Sequence, residues 1–166
     1  MTTFYLAAAI AIISTVMTIT RSHAVHALLY LVVSLLAVGV IFYVLGAPFA
    51  AALEIIIYAG AIMVLFAFVV MMLSLGSRAA AMERRWMPPA VWIGPGLLAL
   101  ILAGELAYLL FASHASNSFG TFPAVEPARV GRELFGPYLL AVELASMLLL
   151  AALVGAYHLG RDLTKD

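Results

Sequence analysis

The sequence predicts an all-α integral membrane protein with five transmembrane helices, and composition, charge content and segment length all support this prediction. Of the 166 residues, 66% are hydrophobic and only 10% are charged, and the mean hydropathy is +1.17. A soluble protein has about 25% charged residues, so this chain has too little polar surface to stay in water. A helix that crosses the bilayer core needs roughly 20 apolar residues, and five stretches meet that requirement.

The five apolar stretches follow one another through links of unequal length. They cover residues 3–20, 25–45, 50–75, 91–112 and 137–159. A short link at Arg21–His23 separates the first two spans, while Gly46 and Pro48, both helix terminators, separate the second from the third. The longest link, 113–136, is polar and contains glycine and prolines, so we predict irregular structure there. We expect one transmembrane domain over residues 1–166.

The distribution of basic residues predicts the orientation of the chain. Lysines and arginines in short loops are enriched on the cytoplasmic side of a membrane. Six of the eight fall on one side of the predicted spans and two on the other. The six are Arg21, Arg78, Arg84, Arg85, Arg161 and Lys165, and the two are Arg129 and Arg132. We therefore expect the N-terminus outside, in the periplasm, and the C-terminus in the cytoplasm.

Several classes of function have no support in the sequence. There are no cysteines, which excludes disulfides, thiolate catalysis and cysteine-ligated zinc or iron–sulfur sites. The formal net charge is +0, with no basic patch that would bind nucleic acid. We find no nucleophile–base pair, glycine-rich phosphate loop or cluster of metal ligands. We therefore predict no catalytic residue, and neither a cofactor nor a metal bound by this chain.

Three glutamates fall inside predicted spans, where a carboxylate is costly and is a functional hypothesis by default. They are Glu54, Glu105 and Glu143. At about 1.5 Å per residue from the outer helix ends, they lie about 6, 10 and 9 Å deep. This similar depth suggests the hypothesis of one protonatable cluster in the outer half of the membrane.

Each glutamate also has a purely structural interpretation. Glu54 lies near enough to its helix end to reach the interface, and Glu143 could be buried against another subunit. Glu105, with Gly104 and Tyr108 beside it, could contact lipid headgroups or another chain. These alternatives stay open beside a role in proton transfer.

The third span has the most unusual sequence of the five. Glu54 and Tyr58 are four residues apart and share a helix face, so a carboxyl and a phenol could hold a proton or a water between them. Gly60, flanked by two alanines, permits close approach of another helix. A mid-helix glycine also lowers the cost of a π-bulge or kink, features that mark functional sites. Helix packing and a hinge are both open interpretations of Gly60.

Two stretches carry a family resemblance. The first runs from His26 through Gly46 into Leu53–Phe66, with Glu54, Tyr58 and Gly60 in it, and the second runs from Leu134 to Leu150. Together they resemble the subunit J family of bacterial NADH-quinone oxidoreductase, the counterpart of chain 6 of mitochondrial NADH dehydrogenase. Five helices in this order match the whole chain, and the glutamate–tyrosine–glycine run is far more specific than hydropathy alone.

The resemblance implies a place in the membrane arm of respiratory complex I, a proton-pumping translocase of the bacterial inner membrane. It implies contacts with lipid and with other membrane subunits, especially subunits K, A, H and N. The complex would use NADH, FMN, iron–sulfur clusters and quinone, and this chain would carry no redox centre. The isolated chain is therefore not expected to be catalytic.

The resemblance also implies roles for particular residues. In the family, the third helix carries a π-bulge near the tyrosine–glycine run, and its conversion to regular α-helix opens or closes a water path to glutamates of subunit K. Carried over, Tyr58 is the gate, Gly60 its hinge and Glu54 the acid before it. Glu143 matches the acid of the fifth helix. Nothing carries over to Glu105, which is a candidate by its position alone.

Two other functions remain open. The chain could be a subunit of a cation/proton antiporter related to complex I, in which the same glutamates would serve. It could also be a purely structural membrane subunit, with the glutamates as buried contacts between helices. The identity of the proteins that copurify with the chain would distinguish an antiporter subunit from a complex I subunit.

Overall fold

The structure, a computed structural model, describes residues 1–73, 90–116 and 123–162, and all regular structure in these ranges is helical. The helices are α1 (Thr2–Thr20), α2 (Ala24–Val44), α3 (Pro48–Leu53), α4 (Met63–Leu73), α5 (Ala90–Ser116), α6 (Pro127–Leu134) and α7 (Leu139–Asp162). A π-helical segment, Glu54–Ile62, joins α3 to α4.

Five helical stretches in the described ranges are long and apolar enough to cross a membrane, which confirms the predicted number. They are Thr2–Thr20, Ala24–Val44, Pro48–Met72, Trp92–Phe111 and Leu139–Arg161. The third of them combines α3, the π-helical segment and α4. The link between the third and fourth spans, with Arg78, Arg84 and Arg85, lies outside the described residues, as does Lys165.

The contacts divide the chain into two compact units, Met1–Val125 and Glu126–Asp166. The first unit has a core built by α1, α2 and α5, whose buried members are Ala7, Ile10, Val33, Ala37, Val40, Val44 and Leu102. Ala7 and Ala37 are fully buried, because small side chains let α1 and α2 approach closely. In lipid, such close packing, rather than exclusion of water, holds helices together.

Hydroxyl groups add a polar contact between α1 and α2. The Oγ1 atom of Thr15 lies 2.8 Å from the Oγ atom of Ser34, and both hydroxyls are within reach of the Ala11 carbonyl, at 2.8 and 3.3 Å. One hydroxyl can therefore donate to the carbonyl while the other donates to its neighbour. Both hydroxyl groups thus have partners within the two spans, where lipid would supply none.

The C-terminus of α2 shows why the second span stops where it does. Gly46 has a φ angle of 82°, a left-handed conformation that favours glycine. The amide of Gly46 donates to the Tyr43 carbonyl at 3.1 Å and the amide of Ala47 donates to the Phe42 carbonyl at 2.9 Å, the pattern of a Schellman motif. The Val125 amide then donates to the free Gly46 carbonyl at 2.8 Å.

Two glycines bring helices into contact with α2. A β-carbon at Gly39 would lie 3.2 Å from Cγ1 of Ile55 and 3.7 Å from the Ala51 carbonyl oxygen, which is how the third span packs on α2. A β-carbon at Gly94 would occupy the space of the Tyr30 hydroxyl, which is how α5 packs on α2. At both positions a neighbouring residue lies so close to the glycine backbone that any larger residue would force that neighbour to shift.

The second unit contains α6 and α7. The structure of the link that precedes α7 corrects one sequence prediction. The link 113–136 was predicted to be irregular, but residues 113–116 continue α5 and Pro127–Leu134 form the helix α6. The prediction was wrong for these parts because proline is accepted in the first turn of a helix, where no amide partner is needed, and Pro127 occupies that turn. Gly136 follows α6, where a β-carbon would lie 2.7 Å from the Arg132 carbonyl oxygen.

Candidate functional site

The third span contains nine π-helical residues, Glu54–Ile62. A π-helical amide bonds the carbonyl five residues earlier instead of four, and such turns occur mostly as short bulges, frequently at functional sites. The segment covers Glu54, Tyr58 and Gly60, the three residues singled out in the sequence, and it lies where the family resemblance implied a π-bulge. The polar residues of the third span therefore lie in its least regular part.

The closest contact of Gly60 outside its own turn lies within the third span itself. A β-carbon there would lie 3.2 Å from the carbonyl oxygen of Ile55, five residues earlier in the same segment, and no described atom of another helix comes within 4 Å. The tight contact thus comes from the π-helical backbone itself and not from a neighbouring helix. A side chain at position 60 would crowd the π-helical form.

Glu54 and Tyr58 lie at the start and the middle of the π-helical segment. The Glu54 side chain is half-buried and Tyr58 is 50% exposed. In the described part of the chain, the structure gives no hydrogen bond between the carboxyl and the phenol. Within the described residues, neither group has the other as its hydrogen-bond partner.

The helix α4, after the π-helical segment, has few contacts within this chain. Met63 is buried, at 7% exposed, whereas Val64, Leu65, Phe66 and Phe68 are each more than half exposed. Most described side chains of α4 are therefore exposed within this chain.

Glu105 has surroundings unlike those of Glu54. It is 7% exposed, and both carboxyl oxygens are buried without a hydrogen-bond partner among the described residues. It also lines a cleft together with residues of α1, and Glu54 is absent from that lining.

Glu143 lies in α7, in the second unit of the chain. Its side chain is exposed, and the described span around it buries no residue. The hypothesis of one cluster formed by the three glutamates remains a prediction.

Sequence reasoning missed the contacts that hold the first unit together. The contact of Tyr30 with Gly94 and the hydrogen bond of Thr15 with Ser34 were not predicted, although hydroxyl residues in apolar spans were a signal for the second. Such residues commonly bond across helices in membranes. The contact at Gly94 had no comparable signal, because it depends on which helices are neighbours.

The described residues contain no group of three or more histidines, aspartates or glutamates that could hold a metal ion. The fold and the candidate site together define a multi-pass α-helical membrane protein with few charged groups in its spans. The chain belongs to the family described as NADH-ubiquinone/plastoquinone oxidoreductase chain 6, whose sequence model matches residues 14–159.

Individual relatives support the same family. The chain is 57% identical over 163 residues to NADH-quinone oxidoreductase subunit J of Pseudomonas aeruginosa, with 98% of each chain covered. It is 54% identical over 159 residues to the protein of that name from Escherichia coli K12, covering 96% of this chain and 85% of the relative. A third, from Buchnera aphidicola of Schizaphis graminum, is 48% identical, with 96% of each chain covered. The resemblance found in the sequence is thereby confirmed.

Proposed function

We propose that this chain is a membrane-arm subunit of a proton-pumping NADH:quinone oxidoreductase, where it helps couple quinone reduction to proton translocation. The observation that carries the proposal is the π-helical segment Glu54–Ile62 in a chain of this family. The chain itself has no redox centre, and NADH, FMN, iron–sulfur clusters and quinone are bound elsewhere in the complex. The relatives named subunit J favour this function over that of a separate antiporter subunit.

The coupling device is a third span that switches between π-helical and α-helical forms. Conversion of one π turn to α-helix shifts the hydrogen-bond register by one residue, which rotates the following helix by roughly 100° and moves it by about 1.5 Å. Quinone chemistry elsewhere in the complex biases this equilibrium. The exposed side chains of α4 then turn toward or away from the proton path between subunits.

Gly60 is the hinge of this switch. In the π-helical form a β-carbon at this position would lie 3.2 Å from the Ile55 carbonyl oxygen. In a regular α-helix the amide of residue 60 would instead pair with the carbonyl of Ile56, which moves the Ile55 carbonyl out of this contact. A branched side chain at position 60 would add bulk beside this carbonyl, whereas glycine leaves both forms accessible.

Glu54 and Tyr58 form the polar part of the gate. In one state their carboxyl and hydroxyl groups line a hydrated path toward glutamates of subunit K, and in the other that path is broken. Glu143 contributes a second acid from α7 toward a neighbouring subunit. Subunits K, A, H and N, together with lipid, are the proposed surroundings of this chain.

The chain is placed in the bacterial inner membrane with its N-terminus in the periplasm and its C-terminus in the cytoplasm. The excess of basic residues in the links assigned to the cytoplasmic side supports this orientation. Cysteine accessibility at introduced sites in the 21–23 and 126–134 regions would test it, because the two regions are expected on opposite sides.

The proposed function is tested with Gly60→Val in the complete complex. The variant should assemble normally, while the rate of quinone-dependent NADH oxidation and the proton-to-electron ratio both fall. Gly104→Val is a matched control, because a β-carbon at Gly104 meets nothing within 4 Å. A Gly60→Val complex with the normal rate and the normal ratio would eliminate the hinge.

Copurification gives an independent test of the partners. A C-terminal tag on this chain should recover a large assembly with flavin, iron–sulfur clusters and quinone-dependent NADH oxidation. A small assembly without these groups, together with sodium-dependent antiport, would instead identify the antiporter.

A further inference from the structure

A cleft of about 410 Å³ lies between the N-terminal end of α1 and the face of α5 beside it. The residues that line it are Thr2, Thr3 and Leu6 of α1 and Ile101, Glu105 and Tyr108 of α5. The three α5 residues are four and three positions apart, so they lie along one face of the helix. Among these lining residues, Glu105 is the acidic one.

The Glu105 side chain contributes to the cleft lining but is almost entirely buried. Its neighbours in sequence include Leu102, which belongs to the buried core, and Leu106, which packs against that core. The side chain is 7% exposed, and its two carboxyl oxygens are buried without a hydrogen-bond partner in the part of the chain that the structure describes. An unpaired carboxylate in such surroundings is costly, and its presence requires an explanation.

The described elements packed against α5 supply no compensating charge for Glu105. The titratable groups at this end of α1 are the α-amino group of Met1 and the phenol of Tyr5, and both residues are 69% exposed. The group at this end of α2 is the phenol of Tyr43, whose oxygen is itself buried with no partner among the described residues. On α5, Tyr108 is largely exposed. His26 and Tyr30 lie at the opposite end of α2.

We propose that Glu105 is a proton-binding site that exchanges its proton through this cleft. A bound proton removes the uncompensated charge, whereas a metal ion or a lipid ammonium group would have to reach oxygens that are closed to solvent. The lining offers a metal ion few further oxygens, namely the hydroxyls of the two threonines and the phenol of Tyr108. The site is separate from the third span and does not depend on the switch proposed there.

The test uses N,N′-dicyclohexylcarbodiimide, a hydrophobic reagent that reacts with protonated carboxyl groups. The O–H group of the acid adds across a C=N bond of the reagent, and the acyl group then migrates from oxygen to nitrogen. The resulting N-acylurea keeps every atom of both reactants. Membranes that contain the assembled complex are labelled, and mass spectrometry of the peptide that contains Glu105 measures the adduct.

We expect an adduct on Glu105 that forms more slowly as the pH is raised and at equal rates in sodium and choline chloride. Glu105→Gln should lose this adduct alone. Glu133, which is exposed outside the spans, is the internal reference, because a water-soluble carbodiimide with glycine ethyl ester should label Glu133 and leave Glu105 unmodified.

Three results would overturn the proposal. They are the absence of an adduct on Glu105 at every pH, labelling that does not change with pH, and protection of Glu105 by sodium. The last would identify a cation site instead of a proton site. Because the wild-type complex gives the decisive measurement, the proposal remains testable even if Glu105→Gln fails to assemble. Loss of the Gly60 hinge would leave all these outcomes unchanged.

Discussion

The hydroxyl of Tyr30 in α2 occupies the space that a β-carbon of residue 94 in α5 would need. Because the backbone of α5 cannot retreat without losing its packing on α2, Gly94→Ala must displace the Tyr30 ring. Overpacking of this kind costs about 1–3 kcal/mol. We expect Gly94→Ala to lower the temperature at which the purified complex dissociates.

The controls for Gly94 lie on the same two helices. A β-carbon at Gly96 meets nothing within 4 Å, so Gly96→Ala should leave the dissociation temperature unchanged or raise it slightly. Tyr30→Phe combined with Gly94→Ala removes the clashing oxygen and should recover much of the loss. Equal dissociation temperatures for Gly94→Ala and the wild type would show that this contact is absent from the assembled protein.

Ser34→Ala should destabilise the pairing of α1 with α2. The substitution removes the 2.8 Å hydrogen bond to Thr15, and interhelical hydrogen bonds in membranes contribute about 0.6 kcal/mol on average. Ser14→Ala is the matched control, since Ser14 is fully buried but its hydroxyl has no partner among the described residues. Unfolding in mixed micelles should separate the two variants, with Ser34→Ala the less stable, and the reverse order would refute the assignment.

Tyr58→Phe tests the polar part of the proposed gate. The substitution keeps the ring and its contacts but removes the hydroxyl, so we expect normal assembly with a reduced proton-to-electron ratio. Reduction of an artificial acceptor by NADH should not change, because it bypasses the membrane arm. An unchanged pumping ratio would remove Tyr58 from the relay while leaving the hinge at Gly60 untouched.

Glu54→Gln and Glu143→Gln distinguish a role in proton transfer from a structural one. Glutamine keeps the shape and the hydrogen-bonding capacity of the side chain but cannot ionise. We expect turnover to fall while the amount of assembled complex on native gels stays normal. A loss of assembly that precedes any loss of turnover would favour the purely structural subunit.

The spans could be predicted because each is a property of one continuous segment. A helix needs about 20 apolar residues to cross the bilayer, whatever its neighbours are. The apolar stretches of α1 and α2 could therefore be recognised in the sequence alone. The π-helical segment also had a local signal, namely Gly60 between two alanines in the middle of an apolar span. The prediction of irregular structure around Pro127 was wrong because proline is found both after the end of a helix and in its first turn.

The surroundings of the glutamates could not be predicted in the same way. Glu105 and Glu143 are each a single acid in an apolar run, and the two runs look alike in sequence. One side chain is buried in the bundle and the other is exposed, a difference that depends on which helices pack together. Sequence patterns within one helix carry little information about that pairing, since lipid-facing and helix-facing surfaces are both apolar.

The exposure of Glu143 on α7 has a consequence for how the chain is made. A newly inserted α7 is apolar enough to stay in the bilayer, yet it presents a carboxyl group to hydrocarbon until another protein covers it. The uncovered carboxyl group of Glu143 therefore distinguishes a chain without its partners from an assembled one. Cells that produce this chain in excess of its partners should degrade the surplus, and Glu143→Leu should lengthen the lifetime of that surplus.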